Sequence, residues 1–288
     1  MKVTILGCGL MGASLAACLR ARGLARAVVG YDLDPQVCAR GIAAGLLDEC
    51  AASAAQAARQ ADLVALAVPV GSMPELLAQI AGELGPSAIV MDLGSTKADV
   101  VAAARRALGP AFARFVPSHP IAGGERAGLE RADAGLFEGR TVVTTPADET
   151  AADALARVEQ LWRACGARVE RMQADEHDRV LASVSHLPHV LAFALMGQIA
   201  GEQDAQRKLS LAGPGFRDFS RIAASSPPMW RDIALANRDA LGQELRAFVA
   251  TLQRIGQAVS AGDGTWLQQF FQRASDARRR MDGRERGE

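Results

Sequence analysis

The stretch KVTILGCGLMG, residues 2–12, runs from β-branched and apolar residues straight into three glycines spaced G-x-G-x-x-G. Its first half reads as a short strand. After the turn, Leu10, Leu15, Ala16 and Leu19 recur at helical spacing as far as Gly23. A strand that turns on glycine directly into a helix is the opening of a dinucleotide-binding unit. Gly7 permits the tight turn, Gly9 lets the backbone approach a pyrophosphate, and Gly12 lets the helix pack closely on its strand. Leu10 and Met11 begin that helix, where unpaired amides and the positive dipole end meet phosphate. The next strand, AVVGYD, ends on Asp32, at the interval of about 20 residues that places a carboxylate on the ribose hydroxyls. Such a carboxylate repels a 2′-phosphate, so the expected cofactor is NAD rather than NADP. Asp32 can also be read as the N-cap of a helix starting near Pro35, although Asp34 fits that cap better.

Further along, the apolar runs DLVALAVP, AIVMDLG, RFVPSHP and RTVVTTP are separated by Ala-rich helical stretches. Alternation of this kind implies an α/β fold of Rossmann type, a doubly wound parallel sheet with helices on both faces and ligands beyond the carboxyl ends of the strands. In AVPVGSMPELL, residues 67–77, the trio Val68, Pro69 and Val70 reads equally as the edge of a dinucleotide pocket and as a buried strand end. After GARVERM the β-type runs stop. The expected division is therefore a dinucleotide-binding domain over 1–171 and an all-α substrate and dimerisation domain over 172–288.

In the second half, Val180, Val184, Leu187, Leu191 and Leu195 step by three or four and predict one buried stripe. Pro188 removes a donor from this helix, frees the Val184 carbonyl and predicts a kink. From Leu241 a heptad seam runs through Leu245, Phe248, Leu252, Ile255 and Val259. A small domain of long helices has little interior of its own, so the seam points to a homodimer. The tail SDARRRMDGRERGE has no apolar stripe and is expected to lack regular structure.

Composition narrows the setting. The 288 residues carry 32 Lys+Arg against 32 Asp+Glu, which leaves no basic excess for nucleic acid or an acidic membrane surface. The five cysteines form no C-x-x-C pair and are expected as reduced core thiols. The N-terminus runs into a strand without the features of a leader, and no uninterrupted apolar run approaches the ~18 residues of a membrane span. The expected location is the cytoplasm.

Four histidines are candidates for chemistry. His119, in SHPIAGG, follows a strand and lies where the reactive ring of a bound dinucleotide would be. It reads equally as a general base and as a turn residue bonded to a neighbouring carbonyl. His186 and His189 stand three apart in HLPH, but without a third ligand at suitable spacing no metal is expected. The segment GFRDFSRIAASSPPMWRDI sets Arg217, Arg221 and Arg231 among Phe216, Phe219 and Trp230. Arginines beside aromatics can clamp a carboxylate, and Asp218 stands three before Arg221, where the two can pair. Surface ion pairs are the other reading.

Taken in order, GCGLMG, GYDLDP, DLGSTK, SHPIAGGERAG, LFEGRTVVTTP, DEHDRVLASVSHLPHVLA and GPGFRDFSRIAASSPPMWRDI resemble the prephenate dehydrogenase family, with its cyclohexadienyl and arogenate variants, over nearly the whole chain. The resemblance implies NAD-dependent oxidative decarboxylation of prephenate to 4-hydroxyphenylpyruvate on the route to tyrosine. It implies His119 as the base for the ring C4 hydroxyl and Ser95 as its hydrogen-bonding neighbour. Arg221 would hold the ring carboxylate, His189 and Trp230 would line the substrate pocket, and Glu125 and Asp218 would form a charged gate with Arg221. Gly124, lacking a side chain, leaves room for arogenate as well as prephenate. Architectures of the same outline belong to β-hydroxyacid dehydrogenases and imine reductases. The former use a lysine early in the helical domain, and this helical domain has only Lys208. A catalytically silent NAD-sensing protein is the alternative outside enzymes.

Overall fold

The computed structural model describes residues 1–123 and 128–285. Contacts divide the chain into two units, Met1–Ala240 and Leu241–Glu288. In the first, strands β1 (Lys2–Leu6), β2 (Ala27–Tyr31), β3 (Glu49–Cys50), β4 (Leu63–Leu66), β5 (Ile89–Asp92) and β6 (Phe115–Val116) form a six-stranded parallel sheet in the order 3-2-1-4-5-6. Val3, Ile5 and Leu6 of β1 are fully buried. That is what a strand covered by helices on both faces requires, and it explains the unbroken apolar runs. Leu6 pairs with Tyr31 on one side and Leu66 on the other, and Leu66 pairs with Asp92. Four strands therefore end level, and the chain after each one emerges at a common edge. The order reverses between β1 and β4, where a crevice for a ligand opens.

The run RFVPSHP supplies β6 and then leaves the main sheet. It breaks at Pro117, which has no N–H for a ladder. Ser118 N instead donates to the Asp92 carboxylate at 3.1 Å. Strand β7 (Ser118–Pro120) then pairs antiparallel with β8 (Thr141–Thr144), and β8 pairs parallel with β9 (Arg168–Arg171), giving a separate three-stranded sheet. The expected all-parallel reading of these late runs is thereby corrected.

At the first turn Gly7 has φ +95°, and a Cβ on Gly12 would lie 2.0 Å from the Gly7 carbonyl oxygen. Turn and helix Leu10–Ala21 touch there, with no room for a methyl group. Asp34 caps the helix Pro35–Ala43 by accepting from Gln36 N at 2.9 Å. All five cysteines are free thiols.

Helix runs without interruption from Ala174 to Ala200, with a π turn at Ala182–His186 just before Pro188. By length and composition it is apolar enough to cross a bilayer. The expected buried stripe is wrong, because Val180 and Val184 are 44% and 69% exposed. Of the predicted stripe Leu187 is buried, and the face it shares with His177, Asp178, Leu181, Ala182 and His186 is the one turned inward, the π turn inserting an extra residue between its two ends. In the second unit the seam from Leu241 lies on one helix, Arg238–Ala261, with Leu252 and Val259 exposed. The tail expected to be irregular is helical through Glu285, within Gly264–Glu285. Its residues are mostly good helix formers, and Gln272 donates to Asp276 one turn on. Within this unit the Arg254 guanidinium lies 4.9 Å from the Trp266 ring, which itself stacks on Phe270.

Gly12→Ala is expected to cost about 1–3 kcal/mol of stability through overpacking, whereas Gly9→Ala, whose Cβ would meet nothing within 4 Å, should leave stability unchanged. Chemical denaturation of the two variants checks this; equal stability would remove the close-packing role of Gly12.

Candidate active site

A cleft of about 600 Å³ opens at the carboxyl edge of the main sheet. Leu10 and Met11 line it from the start of the first helix, and Val68, Pro69 and Val70 line it from the end of β4. Ser95, after β5, and His119, on β7, face the same space, as do His189 and Trp230 from the helices Leu187–Ala200 and Pro227–Ala236. Residues more than 100 positions apart in the chain thus meet. Arg140, which precedes β8, is the one Lys or Arg side chain among the described lining residues. Asp218 and Arg221 are exposed, on the helix Pro214–Ser220 and the turn Arg221–Ala224, and neither borders the cleft as described. Gly124 and Glu125 lie outside the described residues.

The turn suits a dinucleotide. The side of Gly9 where a Cβ would stand is empty to 4 Å, so backbone can meet a pyrophosphate there. Asp32 is not a helix cap. Its carboxylate accepts from Cys8 N at 2.8 Å and from Asp34 N at 3.1 Å, which fixes it beside the turn with lone pairs left for ribose hydroxyls.

Behind His119 stands a buried polar network. His119 Nδ1 lies 2.8 Å from His177 Nε2, and His177 Nδ1 lies 2.8 Å from Asp178 Oδ1. Asp178 accepts from the backbone N–H of Lys97 at 2.8 Å and of Ala98 at 2.9 Å, at the start of the helix Ala98–Leu108. Burial acts to raise the Asp178 pKa, but the bonds from His177 and these two amides outweigh it and hold the carboxyl below its usual range. The wholly buried Lys97 ammonium pairs with Asp92 and donates to the Ser118 carbonyl at 2.9 Å. Asn237 donates to the Asp178 carbonyl at 2.7 Å and stands 3.0 Å from His186 Nδ1.

The electrostatics follow from burial. His119, 9% exposed, has its pKa pushed well below 6.5 by desolvation first, then by His177, Lys97 and His186. Desolvation also brings His186 down to about 4. His189 donates from Nδ1 to the Ser185 carbonyl at 2.9 Å and stacks on Trp230 with 3.7 Å between ring centroids. Its pKa is likewise lowered by burial. Among the described residues no group of three or more His, Cys, Asp or Glu is placed to hold a metal.

Sequence reasoning gave His177 no role beyond its place among the four histidines, and missed Asp178, Lys97, Asp92, Asn237 and Arg140. The only available signal was the charged pair inside DEHDRV, flanked by apolar residues at helical spacing. Lys97→Met leaves the Asp92 carboxylate buried without its cation and is expected to cost about 3–5 kcal/mol. Adding Asp92→Asn should recover part of that loss in denaturant titrations; an additive double variant would mean that the two side chains are not coupled.

Two family profiles match the chain: "Prephenate dehydrogenase, nucleotide-binding domain" over residues 15–171, and "Prephenate dehydrogenase, dimerization domain" over 173–273. The cyclohexadienyl dehydrogenase of Zymomonas mobilis is 37% identical over 96% of this chain and 94% of its own length. The prephenate dehydrogenase of Bacillus subtilis is 32% identical over 100% of this chain and 78% of its own. The solved prephenate dehydrogenase from A. aeolicus, in complex with hydroxyphenyl propionate and NAD+, superposes with a TM-score of 0.91 at 33% identity, covering 98% of both chains. With its nucleotide-binding fold and its histidine-lined cleft, the chain belongs to the prephenate dehydrogenase family of oxidoreductases.

Proposed function

We propose that this enzyme oxidises and decarboxylates prephenate with NAD, giving 4-hydroxyphenylpyruvate, CO2 and NADH in tyrosine biosynthesis, and that it also accepts arogenate. The observation that carries the reading is His119. One ring nitrogen is tied to His177 while the ring lines the cleft at the carboxyl edge of a dinucleotide-binding sheet. NAD, when bound, takes the hydride from ring C4. His119 Nε2 accepts the proton of the C4 hydroxyl, and Ser95 hydrogen-bonds the same oxygen and orients it. Arg221 holds the ring carboxylate until it leaves as CO2, and the electrons of the broken C–C bond make the ring aromatic. Glu125 and Asp218 form a charged gate with Arg221, and Gly124 leaves space for either side chain of the substrate.

Gly7, Gly9, Leu10, Met11 and Gly12 carry the cofactor's pyrophosphate, Asp32 its ribose, and Val68 and Pro69 its flank. His189 and Trp230, stacked on one another, make a flat apolar wall for the substrate. Lys208 does not line the cleft and is paired with Glu202 and Asp204, which argues against a lysine-dependent hydroxyacid dehydrogenase. We place the functional division at residues 171 and 172 and the enzyme in the cytoplasm. It acts as a homodimer through residues 172–288, a reading supported by the exposed Val184, Leu252 and Val259 and by the matched dimerization profile.

The test is initial rates of reduced-nicotinamide formation with prephenate and arogenate, each against NAD and NADP. Turnover with NAD and prephenate, and much weaker use of NADP, is expected; none in all four pairings would overturn the assignment. His119→Asn should lower kcat by about 10² to 10⁴. Because burial lowers the His119 pKa, the wild-type base stays neutral below the ordinary value of 6.5. The acid limb of kcat/KM attributable to it should therefore lie below pH 6.5; a limb above that value would place the base elsewhere.

A further inference from the structure

We infer that His177 and Asp178 are positioning residues that hold His119 in the one tautomer able to act as a base, and that His177 shares the charge when His119 takes a proton. This rests on the proposed reaction only for its kinetic consequences. Asp178 is the end of the relay that has no freedom. Asp178 accepts two backbone amides, at 2.8 and 2.9 Å, so both of its oxygens are acceptors. His177 Nδ1, 2.8 Å from Oδ1, must therefore carry a hydrogen, and in neutral His177 that leaves a lone pair on Nε2. This lone pair faces His119 Nδ1 at 2.8 Å, so His119 Nδ1 carries the hydrogen and its Nε2 is bare. Each link dictates the next. Without Asp178 the two tautomers of His177 are nearly equivalent, and the reversed chain would present N–H to the cleft, which cannot accept a proton.

When His119 Nε2 takes the hydroxyl proton, the O–H bond breaks and an N–H bond forms. The Nδ1 hydrogen can then shift to His177 Nε2, which places the positive charge one ring closer to the Asp178 carboxylate, while Asp178 itself stays ionised. Of the charged and titratable groups around these rings, Lys97 is engaged by Asp92 and Ser118, and His186 by Asn237. Among the described residues Asp178 is thus the one carboxylate hydrogen-bonded to either ring. His177 is fully buried, so a proton arriving there has no direct exit to water and must return by the same path.

Two measurements test this. In the ligand-free wild-type protein, nitrogen-15 NMR of the histidine rings at neutral pH should show His119 with Nδ1 protonated and Nε2 bare; the opposite tautomer overturns the inference whether or not prephenate is a substrate. In kinetics, His177→Gln keeps an amide oxygen near the place of Nε2, whereas His177→Leu offers no acceptor. With prephenate and NAD, His177→Leu should lower kcat on the order of 10²-fold or more with KM within about twofold. His177→Gln should recover much of that loss and move the acid limb of the pH profile. Equal activity of the two folded variants would reduce His177 to packing. Should His177→Leu fail to fold, the comparison passes to His177→Gln against wild type, where an unmoved pH profile overturns charge sharing. Failure of wild-type turnover would instead sink the substrate assignment, and the tautomer measurement would still decide the relay.

Discussion

The carboxylate of Asp178 is the constraint on which the site is built. A carboxylate removed from water costs several kcal/mol unless donors replace its hydration. Here the donors are His177 and the amides of Lys97 and Ala98, at the positive end of the helix Ala98–Leu108. Meeting that requirement pins the loop after β5 against the helix that begins at Ala174. With the Lys97 backbone fixed, its side chain turns inward to Asp92 and to the Ser118 carbonyl. Asp92 in turn accepts from Ser118 N, so the residue before His119 is held by both its amide and its carbonyl. Main chain and side chain of the proposed base are therefore fixed from one buried cluster.

How much of this could be read beforehand follows from which forces leave periodic traces. The glycines at 7, 9 and 12, Asp32 and the apolar runs of β1, β4 and β5 are local signals, each set by backbone geometry or by burial on both faces, and the sheet follows from them. The break at Pro117 was also local, but its outcome depended on a distant acceptor, Asp92. His177, Asp178 and Lys97 left no trace of this kind. A polar or charged residue in a helix or at its start reads as solvent-facing, and here the burial of His177, Asp178 and Lys97 depends on bonds made across roughly 80 positions of sequence. The exposed Val180 and Val184 are the same error in mirror image. Apolar periodicity identified a helix correctly but could not show which face the polar cluster had claimed, nor that a π turn would insert a residue along it.

Burial sets the chemistry as well as the geometry. Lys97 and Asp92 compensate each other as an ion pair, and desolvation lowers the pKa of His119 and His186, so with neutral rings the cluster at rest retains the single negative charge of Asp178. Two amides and a ring N–H spread that charge without cancelling it. Taking up one proton makes the cluster neutral overall. The desolvation that resists charging His119 is thus opposed by a carboxylate two rings away. The balance suits a group that must be bare at rest and charged only briefly.

That brevity matches the atoms of the proposed reaction. Loss of hydride from C4 and of the hydroxyl proton leaves a carbonyl at C4. Loss of CO2 then pushes the electrons of the broken bond through the ring onto that oxygen as phenolate. The phenolate needs one proton to become the phenol of the product, and the base has just taken one from the same oxygen. Summed over the cycle no proton is released, so the site has no need of a path to solvent. A relay that ends at a fully buried histidine would be a defect in an enzyme that sheds protons. In one that borrows a proton and returns it, the closed end keeps the proton within reach of the oxygen that must receive it.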